Sequence, residues 1–172
     1  MDKGDVAARE VALYEALDRL GISHHTVEHE AVFTVAQSAP IKAALPGGHA
    51  KTLLVRDRRD LFLIVALGAA RVDLKGVGRA LEASGRLSFA GSETLLATLG
   101  LTPGSVTPFG LMHEGAGAIR TVVLDGALLA HDPVWFHPLR NTASTAVSPQ
   151  GLRTFCAAYA ADVREMGVSA PS

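Results

Sequence analysis

The sequence has little of several features that define common classes of protein. Its 172 residues contain a single cysteine, Cys156, which excludes an internal disulfide and a metal site built from cysteines alone. The longest apolar run, Leu61 to Leu67, is far short of the ~20 residues that a membrane-spanning helix needs, so no membrane partner is expected. Met1 to Asp5 is polar and of mixed charge, which predicts no signal peptide and a cytoplasmic location.

Neither sign of charge is in excess. The chain has 16 Lys and Arg residues against 17 Asp and Glu residues, a net charge of −1. Non-specific coating of nucleic acid requires many cations facing the phosphates, so this balance argues against it, and no DNA partner is expected. The balance is still compatible with a small basic patch that binds one end of an RNA.

The motifs of several large enzyme classes are also missing. The chain has no GxSxG nucleophile elbow, no Walker loop, no dinucleotide-binding GxGxxG and no HExxH. His113, His131 and His137 fall on different predicted elements, without the spacing of metal ligands. His24 and His25 are neighbours in a predicted strand and face opposite ways, so we interpret them as polar surface. No metal and no cofactor is expected.

What remains is an ordinary globular composition. Hydrophobic residues make up 48% of the chain and charged residues 19%. Residues 1–172 suffice for one domain with a substantial core, and no internal repeat divides them. Predicted strands cluster in hairpins and are interleaved with short helices. This pattern predicts an α+β fold with a curved sheet, mixed or mainly antiparallel, that is covered by helices.

Capping and turn signals mark the ends of the first predicted elements. Thr34 and Gln37 have the spacing of a capping box and predict a short helix through Ala44. Two apolar runs, Thr52–Val55 and Leu61–Leu67, are joined by a short polar link. They predict a β-hairpin that is buried largely on both faces.

Similar signals occur in the second half of the chain. Asp125-Gly126 lies between the apolar runs of Arg120–Leu129, which predicts a second hairpin. Ser148-Pro149 combines an N-cap residue with proline at the first helical position. The closing helix is therefore expected to begin there and to run to about Met166.

A lysine lies where the first hairpin begins. Gly47-Gly48 frees the backbone just before Lys51. A lysine at the start of a buried strand can place its ammonium in a cleft as a fixed positive donor. The alternative is a lysine that extends to water from the end of the strand, and this stretch alone favours that alternative.

Three further segments have both a structural and a functional interpretation. The Gly- and Pro-rich loop from Leu101 to Gly110 is either a rigid connector or a cradle whose amides point at an oxyanion. The polar segment from His137 to Thr142 contains residue types that are usually structural when they occur in turns. Val32-Phe33 either packs against the following helix as a staple, which is favoured here, or lines a pocket.

Together these segments resemble the aminoacyl-tRNA deacylases of the YbaK and prolyl-tRNA-synthetase insertion-domain superfamily, and the resemblance covers nearly the whole chain. The family's lysine matches Lys51 after Gly47-Gly48-His49-Ala50, although relatives often carry threonine or another polar residue in place of Ala50, and Gly104–Pro108 matches the family's GxxxP loop. Val134–Thr142 is more similar to the free-standing prolyl-tRNA editing subgroup, ProX, than to the cysteine-editing YbaK subgroup. The resemblance implies a barrel-like sheet. It also implies site residues, of which the catalytic ones are Lys51, Gly104, Ser105, Val106, Thr107 and Pro108 and the substrate-binding ones are Val32, Phe33, His137 and Asn141.

The same resemblance implies hydrolysis of alanine wrongly attached to tRNA(Pro), without a metal. The partners would be the alanine-charged acceptor end and prolyl-tRNA synthetase. The GxxxP loop would position water and the oxyanion, and Lys51 would contact the terminal phosphate or the ester region. His137 and Asn141 would orient the ribose or the alanyl amine, and Val32 or Phe33 would form the wall around the alanine methyl group.

Three alternatives stay open from the sequence. The first is the same chemistry on cysteinyl-tRNA or on another small aminoacyl-tRNA. The second is a non-catalytic module that binds tRNA ends or a synthetase, for which a lost lysine or a broken GxxxP loop would be the sign. The third is an unrelated hydrolase, which would act on substrates without tRNA.

Overall fold

An eight-stranded mixed sheet forms the centre of the structure, a computed structural model that describes residues 3–32 and 34–170. Along the sheet the strands follow the order β1-β7-β6-β2-β3-β5-β8, and β4 pairs separately with β2. The strands are β1 (His25–Glu28), β2 (Gly48–Arg56), β3 (Leu61–Leu67), β4 (Ser88–Phe89), β5 (Ile119–Asp125), β6 (Val134–Phe136), β7 (Ala143–Val147) and β8 (Val163–Met166).

Helices cover both faces of this sheet. On one face α1, α4 and α6 bury their apolar side chains against Leu63 and Val65 of β3. On the other face α3 packs against Phe62 and Ile64 of the same strand, because successive strand residues point to opposite faces. Among the described residues, none of the helices has the length and apolar character needed to cross a membrane. The helices are α1 (Lys3–Arg19), α2 (Val35–Ala44), α3 (Leu74–Ala80), α4 (Ser92–Leu99), α5 (Gly126–Leu129) and α6 (Pro149–Tyr159), with 3-10 turns at Pro108–Met112 and Glu114–Ala118.

The predicted mixed sheet covered by helices is confirmed. Strand pairs β1–β7, β2–β3, β2–β4 and β6–β7 are antiparallel, whereas β2–β6, β3–β5 and β5–β8 are parallel. Within the described part of the chain, β1 and β8 lie at opposite ends of the strand order. The sheet is therefore open, and the barrel-like expectation is corrected to an unclosed sheet.

The local signals near the start of the chain are confirmed. The Thr34 side chain accepts a hydrogen bond from the Gln37 amide, and the Gln37 side chain accepts one from the Thr34 amide, which completes the capping box of α2. The β2–β3 hairpin pairs from Ala50–Leu67 to Arg56–Leu61. All of β3 except its two end residues is buried, as its continuous apolar run predicts.

The second predicted hairpin is wrong, because Asp125 caps a helix instead of opening a turn. Its Oδ1 accepts a hydrogen bond from the Ala127 amide at the start of α5, at 3.1 Å. Its Oδ2 accepts one from the Leu67 amide at the end of β3, also at 3.1 Å. β5 pairs in parallel with β3 and with β8, so the chain must leave the sheet after Asp125 rather than fold back beside β5.

The closing helix begins at the predicted residues but ends earlier than predicted. Ser148 caps α6 by accepting a hydrogen bond from the Gly151 amide, and Pro149 is its first residue. The helix ends at Tyr159, and the following residues form strand β8, which adds to the edge of β5. Val163, which falls within the range predicted for the helix, thus belongs to the sheet.

One edge of β2 is left open, and this opening positions the candidate site. β6 pairs in parallel with Gly48 and His49, and β4 pairs with Val55 and Arg56 on the same edge. Among the described strands none pairs with this edge between those two points, from residue 50 to residue 53. The loop that contains the GxxxP sequence passes beside the gap.

Substitution of Asp125 tests its role as the cap of α5. Replacing Asp125 by Ala leaves the Leu67 and Ala127 amides without their acceptor, and Asp125 is fully buried. We expect the free energy of unfolding to fall by about 3 kcal/mol in chemical denaturation, and by about half of that for Asp125→Asn, which keeps one acceptor oxygen. Asp5→Ala, on the exposed first turn of α1, should change it by less than ~0.5 kcal/mol. Equal losses for Asp125→Ala and Asp5→Ala would contradict the capping role.

Candidate active site

A cavity of about 500 Å³, counting its open mouth, lies beside the open edge of β2. Its walls come from six parts of the chain, some of which are distant in sequence. They are the end of β1, helix α2, the first half of β2, the GxxxP loop and strands β6 and β7. The lining residues are His29, Val32, Ser38, Ile41, Lys42, His49, Ala50, Thr52, Val106, Trp135, Phe136, His137 and Ser144.

His137 presents a bare ring nitrogen to this cavity. Its Nδ1 lies 2.9 Å from the carbonyl oxygen of Ala143. A carbonyl can only accept, so Nδ1 carries the proton and Nε2 has the free lone pair in the neutral ring. Burial lowers the pKa of His137 below its ordinary 6.5, and nearby His29 lowers it further, against the opposing effect of the Ala143 hydrogen bond. His137 is therefore a neutral hydrogen-bond acceptor at pH 7.

His29 and Ser144 form a second polar pair in the cavity wall. His29 Nδ1 donates to the Glu30 carbonyl at 2.8 Å, which leaves Nε2 of the neutral ring to accept from the Ser144 hydroxyl, also at 2.8 Å. Ser144 is buried, and its oxygen keeps lone pairs that a ligand donor can use. The rings of His29 and His137 lie 6.3 Å apart, so this wall presents several acceptors close together.

Thr52 of β2 adds donors to the wall of the cavity. Its residue is 8% exposed and lines the cavity, and no described residue forms a hydrogen bond with its hydroxyl. The Gly48 amide donates to Pro133, and Leu54 accepts from the Ala90 amide, so both groups point toward the β6 and β4 edge. Alternation along the strand then directs the amides of Ala50 and Thr52 toward the same edge. The parallel pairing of His49 with Trp135 takes the Ala50 amide as a donor to the Trp135 carbonyl, so the Thr52 amide is left in the gap.

The mouth of the cavity is shaped by His49 and Trp135. Their rings are stacked, with centroids 6.1 Å apart and planes 10° from parallel. His49 Nε2 donates to the Leu45 carbonyl at 2.8 Å, and the Trp135 indole donates to the Pro46 carbonyl at 3.0 Å. Burial lowers the pKa of His49, which keeps this stack neutral at pH 7. The two bonds fix the end of α2 against the start of β2.

The structure brings only some of the predicted site residues into the cavity. Val32, Val106 and His137 line it. Gly104, with φ at +93°, lies in an adjoining depression, which also contains Val106. Thr107 is fully buried, and its hydroxyl caps the following 3-10 turn by accepting from the Phe109 amide at 3.3 Å.

The other members of the GxxxP loop lie away from the cavity. Pro108 is buried as the first residue of the 3-10 turn that Thr107 caps. Ser105 and Asn141 line a different surface cleft behind the cavity wall. Asn141 still contacts the site, because its Nδ2 donates to the Val32 carbonyl at 3.2 Å. Phe33 lies outside the described residues.

Lys51 is half-buried within β2, and its side chain lies on the opposite face of the strand from Ala50 and Thr52. Its ammonium donates to the Ala70 carbonyl, in the turn after β3. The Lys42 ammonium approaches the same turn, 3.6 Å from the position a Cβ on Gly68 would take. Two positive groups therefore meet the turn at residues 68–70, next to the mouth that Lys42 and His49 line.

Three residues that line the cavity, Thr52, His29 and Ser144, were not predicted from the sequence. Thr52 could have been found from alternation, because it faces away from Lys51 in a strand already predicted. His29 comes just before Val32-Phe33, but nothing local distinguishes it from His24 or His25. Ser144 occurs in the small-residue run of β7 and meets His29 only because β1 pairs with β7. Among the described residues, no group of three His, Cys, Asp or Glu side chains is arranged to bind a metal.

The comparisons with known proteins agree on one family. The aminoacyl-tRNA editing domain profile matches residues 29–155. The prolyl-tRNA editing protein ProX of Acetoanaerobium sticklandii is 32% identical over 143 residues, which cover 82% of this chain and 86% of that protein. The prolyl-tRNA synthetase associated domain-containing protein 1 of Mus musculus is 33% identical over 155 residues, 87% of this chain and 90% of that protein.

A solved structure described provisionally as a trans-editing enzyme for prolyl-tRNA synthetase superimposes with a TM-score of 0.76. It is 21% identical and covers 99% of both chains, which shows that the fold is shared. From its sequence matches, this chain belongs to the aminoacyl-tRNA editing domain family. The cavity described above lies almost entirely within the matched segment.

Titration of His137 tests the electrostatics of the cavity without assuming an activity. We expect NMR to give His137 a pKa below 6.5, because burial penalises its charged form. The unfolded chain then binds the extra proton more readily, so His137 contributes its full stability above pH 6.5 and loses it as the pH falls through the lowered pKa. His137→Asn, which cannot titrate, should flatten this part of the stability profile. A pKa at or above 6.5 would show that the ring is solvated or paired with an acid.

Proposed function

We propose that the protein is an aminoacyl-tRNA deacylase that removes alanine from wrongly charged tRNA(Pro) in the cytoplasm, beside prolyl-tRNA synthetase. The observation that carries the proposal is the small cavity at the open edge of β2, where Thr52 supplies donors to the same cavity that the acceptors His137 and Ser144 line. A cavity that offers both donors and acceptors suits an aminoacyl ester. The names of the relatives support tRNA(Pro) as the carrier.

The chemistry explains why a separate site is useful. A synthetase pocket shaped for proline rejects the smaller alanine only by lost contacts, which are worth about 1–3 kcal/mol. A second site that admits alanine and excludes proline by size supplies the missing discrimination. The ester bond to ribose is already activated, so hydrolysis requires positioned water and a stabilised oxyanion but no protein nucleophile.

The open strand edge is suited to the oxyanion. The Thr52 amide points into the gap, and the hydroxyl of the same residue lines the cavity. Backbone donors of a buried strand are fixed before the substrate arrives, so they stabilise the developing charge without reorganisation. The GxxxP loop then acts mainly through shape: Val106 closes the wall, and Thr107 and Pro108 hold the loop against the core.

The acceptors on the other side have separate roles. His137 Nε2 accepts a proton from the attacking water and returns it to the leaving ribose oxygen, so that no net proton is consumed. Its lowered pKa keeps this nitrogen unprotonated at pH 7. Ser144, whose hydrogen is donated to His29, offers its oxygen lone pairs to the alanyl ammonium. Asn141 acts as a positioning residue, because it holds the Val32 carbonyl and thereby the wall of the cavity.

Lys51 supplies positive charge near the mouth of the cavity. With Lys42, its ammonium lies at the turn of residues 68–70. Two ammonium groups close together attract a phosphate, and the terminal nucleotide of a tRNA carries one next to its ester. We assign the lysines to this phosphate and not to the reacting carbonyl.

Side-by-side hydrolysis of alanyl-, cysteinyl- and prolyl-tRNA(Pro) tests the proposed function. We expect alanyl-tRNA to be cleaved fastest and prolyl-tRNA to be cleaved at nearly the uncatalysed rate. Faster cleavage of cysteinyl-tRNA would reassign the substrate within the same chemistry. Uncatalysed rates on all three would favour a module that only binds tRNA or a synthetase, and cleavage of simple esters without tRNA would indicate an unrelated hydrolase.

A shorter side chain at Val32, in the cavity wall, should reduce the discrimination between alanyl- and prolyl-tRNA. Val32→Ala enlarges the cavity while the backbone carbonyl that Asn141 binds is kept. We expect the ratio of alanyl- to prolyl-tRNA cleavage to fall about tenfold, since one lost methylene-sized contact is worth this much or more. Val163→Ala, in the distant edge strand β8, is the matched control and should leave the ratio unchanged. An unchanged ratio in Val32→Ala would show that Val32 does not limit the size of the substrate.

Removing the charge of Lys51 should weaken catalysis with little effect on the fold. We expect Lys51→Ala to lower kcat/KM at least tenfold, while the free energy of unfolding falls by less than ~1.5 kcal/mol, the value of one hydrogen bond. Lys51→Met separates the charge from the packing of the stem and should behave like Lys51→Ala. Turnover close to that of the parent, with thermal stability unchanged, would reduce Lys51 to a structural contact with Ala70.

A further inference from the structure

Phe89 is a large apolar side chain on the outside of the protein. It is 64% exposed, whereas Phe62, Phe109, Phe136 and Phe155 are all buried. It lies in the two-residue strand β4, which pairs with β2 at Val55 and Arg56. The strand pairing fixes the backbone of Phe89, so its ring is presented to solvent from a defined position.

The surface around Phe89 is continuous with the cavity. Phe89 lines a shallow depression together with Pro103 and Gly104 of the GxxxP loop. Thr52 and Val106 belong to the walls of both the depression and the cavity. The depression therefore begins at the point where the cavity ends, along the same open edge of β2.

A group of cations lies on α3 and on the segment of chain that leads into β4. Lys75, Arg79 and Arg86 line a cleft between α3 and the start of β4, and Arg86 is three residues before Phe89. The Arg58 side chain lies against Gly85 in the same region. No acidic group among the described residues lies within ion-pair distance of these four cations. Glu82 is the acidic residue that shares the cleft with them.

From this arrangement we propose that Phe89 and the cations beside it form the surface that binds the single-stranded 3′ end of an RNA. The inference rests on the proposed function, because it takes the ester in the cavity as the end of that strand. The base next to the ester stacks on Phe89, and the phosphates that precede it meet Arg86 and its neighbours. An exposed aromatic ring followed by cations in a groove is the usual arrangement for binding unpaired nucleotides.

The order of the cavity, the Phe89 depression and the basic cleft sets the direction of the bound RNA strand. The cavity takes the aminoacyl group, the Phe89 depression takes a base, and the basic cleft takes the backbone. A protein partner with an acidic surface could use the cations, but it would have no specific need for an exposed ring between them and the cavity. RNA uses all three surfaces at once, and the net charge of −1 makes this local excess of cations a distinct feature of the surface.

Binding of RNA hairpins that carry no amino acid tests the proposal, and fluorescence anisotropy measures it. One hairpin carries a four-nucleotide single-stranded 3′ end, and the other has the same stem with a blunt end. Phe89→Ala should weaken binding of the first hairpin about 5- to 100-fold, the range for loss of one base–aromatic stack, and should leave the second unchanged. Phe89→Trp should restore binding. Val11→Ala, which removes another exposed apolar side chain, is the control and should have no effect.

Charge and stacking are separated by the salt dependence of the same measurement. Arg86→Gln should lower the slope of log Kd against log salt by about 0.7, as expected for one lost contact to a single-stranded phosphate. Parent-like binding by Phe89→Ala, or equal loss on both hairpins, would overturn the stacking role. Because these RNAs carry no aminoacyl ester, the binding results do not depend on hydrolysis. A protein that binds the overhang but cleaves no ester would contradict the proposed function and leave the proposed RNA-binding surface intact.

Discussion

The change of partner along one edge of β2 is the constraint on which the site depends. β6 runs parallel to the start of β2, and β4 runs antiparallel to its end. Neither strand can continue across the middle, so the amide and the carbonyl of Thr52 are left pointing at the gap. In a buried strand such groups are costly unless a ligand, water or side chain pairs with them. The gap is thus a structural cost, and it also presents an unpaired backbone donor to a ligand.

The acceptors facing this gap are fixed by backbone carbonyls and not by acidic side chains. Ala143 holds the proton on Nδ1 of His137, and Glu30 does the same for His29 through its backbone oxygen. A carboxylate in either place would raise the pKa of the ring and favour its charged form. The carbonyl partners instead set the tautomer of each ring, and burial lowers the pKa of His137, so that its Nε2 is an acceptor at pH 7.

Arg140 connects α1 and β1 to the loop that follows β6. Its guanidinium bonds to Glu10 of α1 at 2.7 Å and to Glu28 of β1 at 2.5 Å. The two carboxylates raise the pKa of Arg140 further above its ordinary value, so it is charged at any working pH. The bridge joins β1, which His29 directly follows, to the loop that carries His137 and Asn141. It thereby fixes the wall of acceptors relative to the rest of the fold.

Local chemistry could be predicted from the sequence, and long-range placement could not. The capping box at Thr34 and the β2–β3 hairpin depend on neighbouring residues, and both are confirmed. The hairpin predicted at Asp125-Gly126 is wrong, because the parallel partners of β5 override the local preference for a hairpin. His29 and Ser144 are 115 residues apart, and only the pairing of β1 with β7 brings them together.

The resemblance to a family was decisive for placing His137, Val32 and Val106, since each of their local signals is weak. It was less informative about Lys51. Sequence position puts that lysine beside the site, but strand alternation turns its side chain to the other face, toward Ala70. Alternation also selects Thr52, the neighbour of Lys51, as the residue that faces the cavity. A motif therefore locates a site more reliably than it assigns a role to each residue in it.

The most direct test of the open strand edge is a crystal structure with 3′-alanylamido-3′-deoxyadenosine, in which an amide replaces the labile ester. The predicted result places the alanyl carbonyl oxygen within hydrogen-bonding distance of the Thr52 amide, with the alanyl nitrogen next to Ser144. An analogue bound away from this edge, or with its carbonyl on the Lys51 face of β2, would contradict the assignment of the gap as the reacting site.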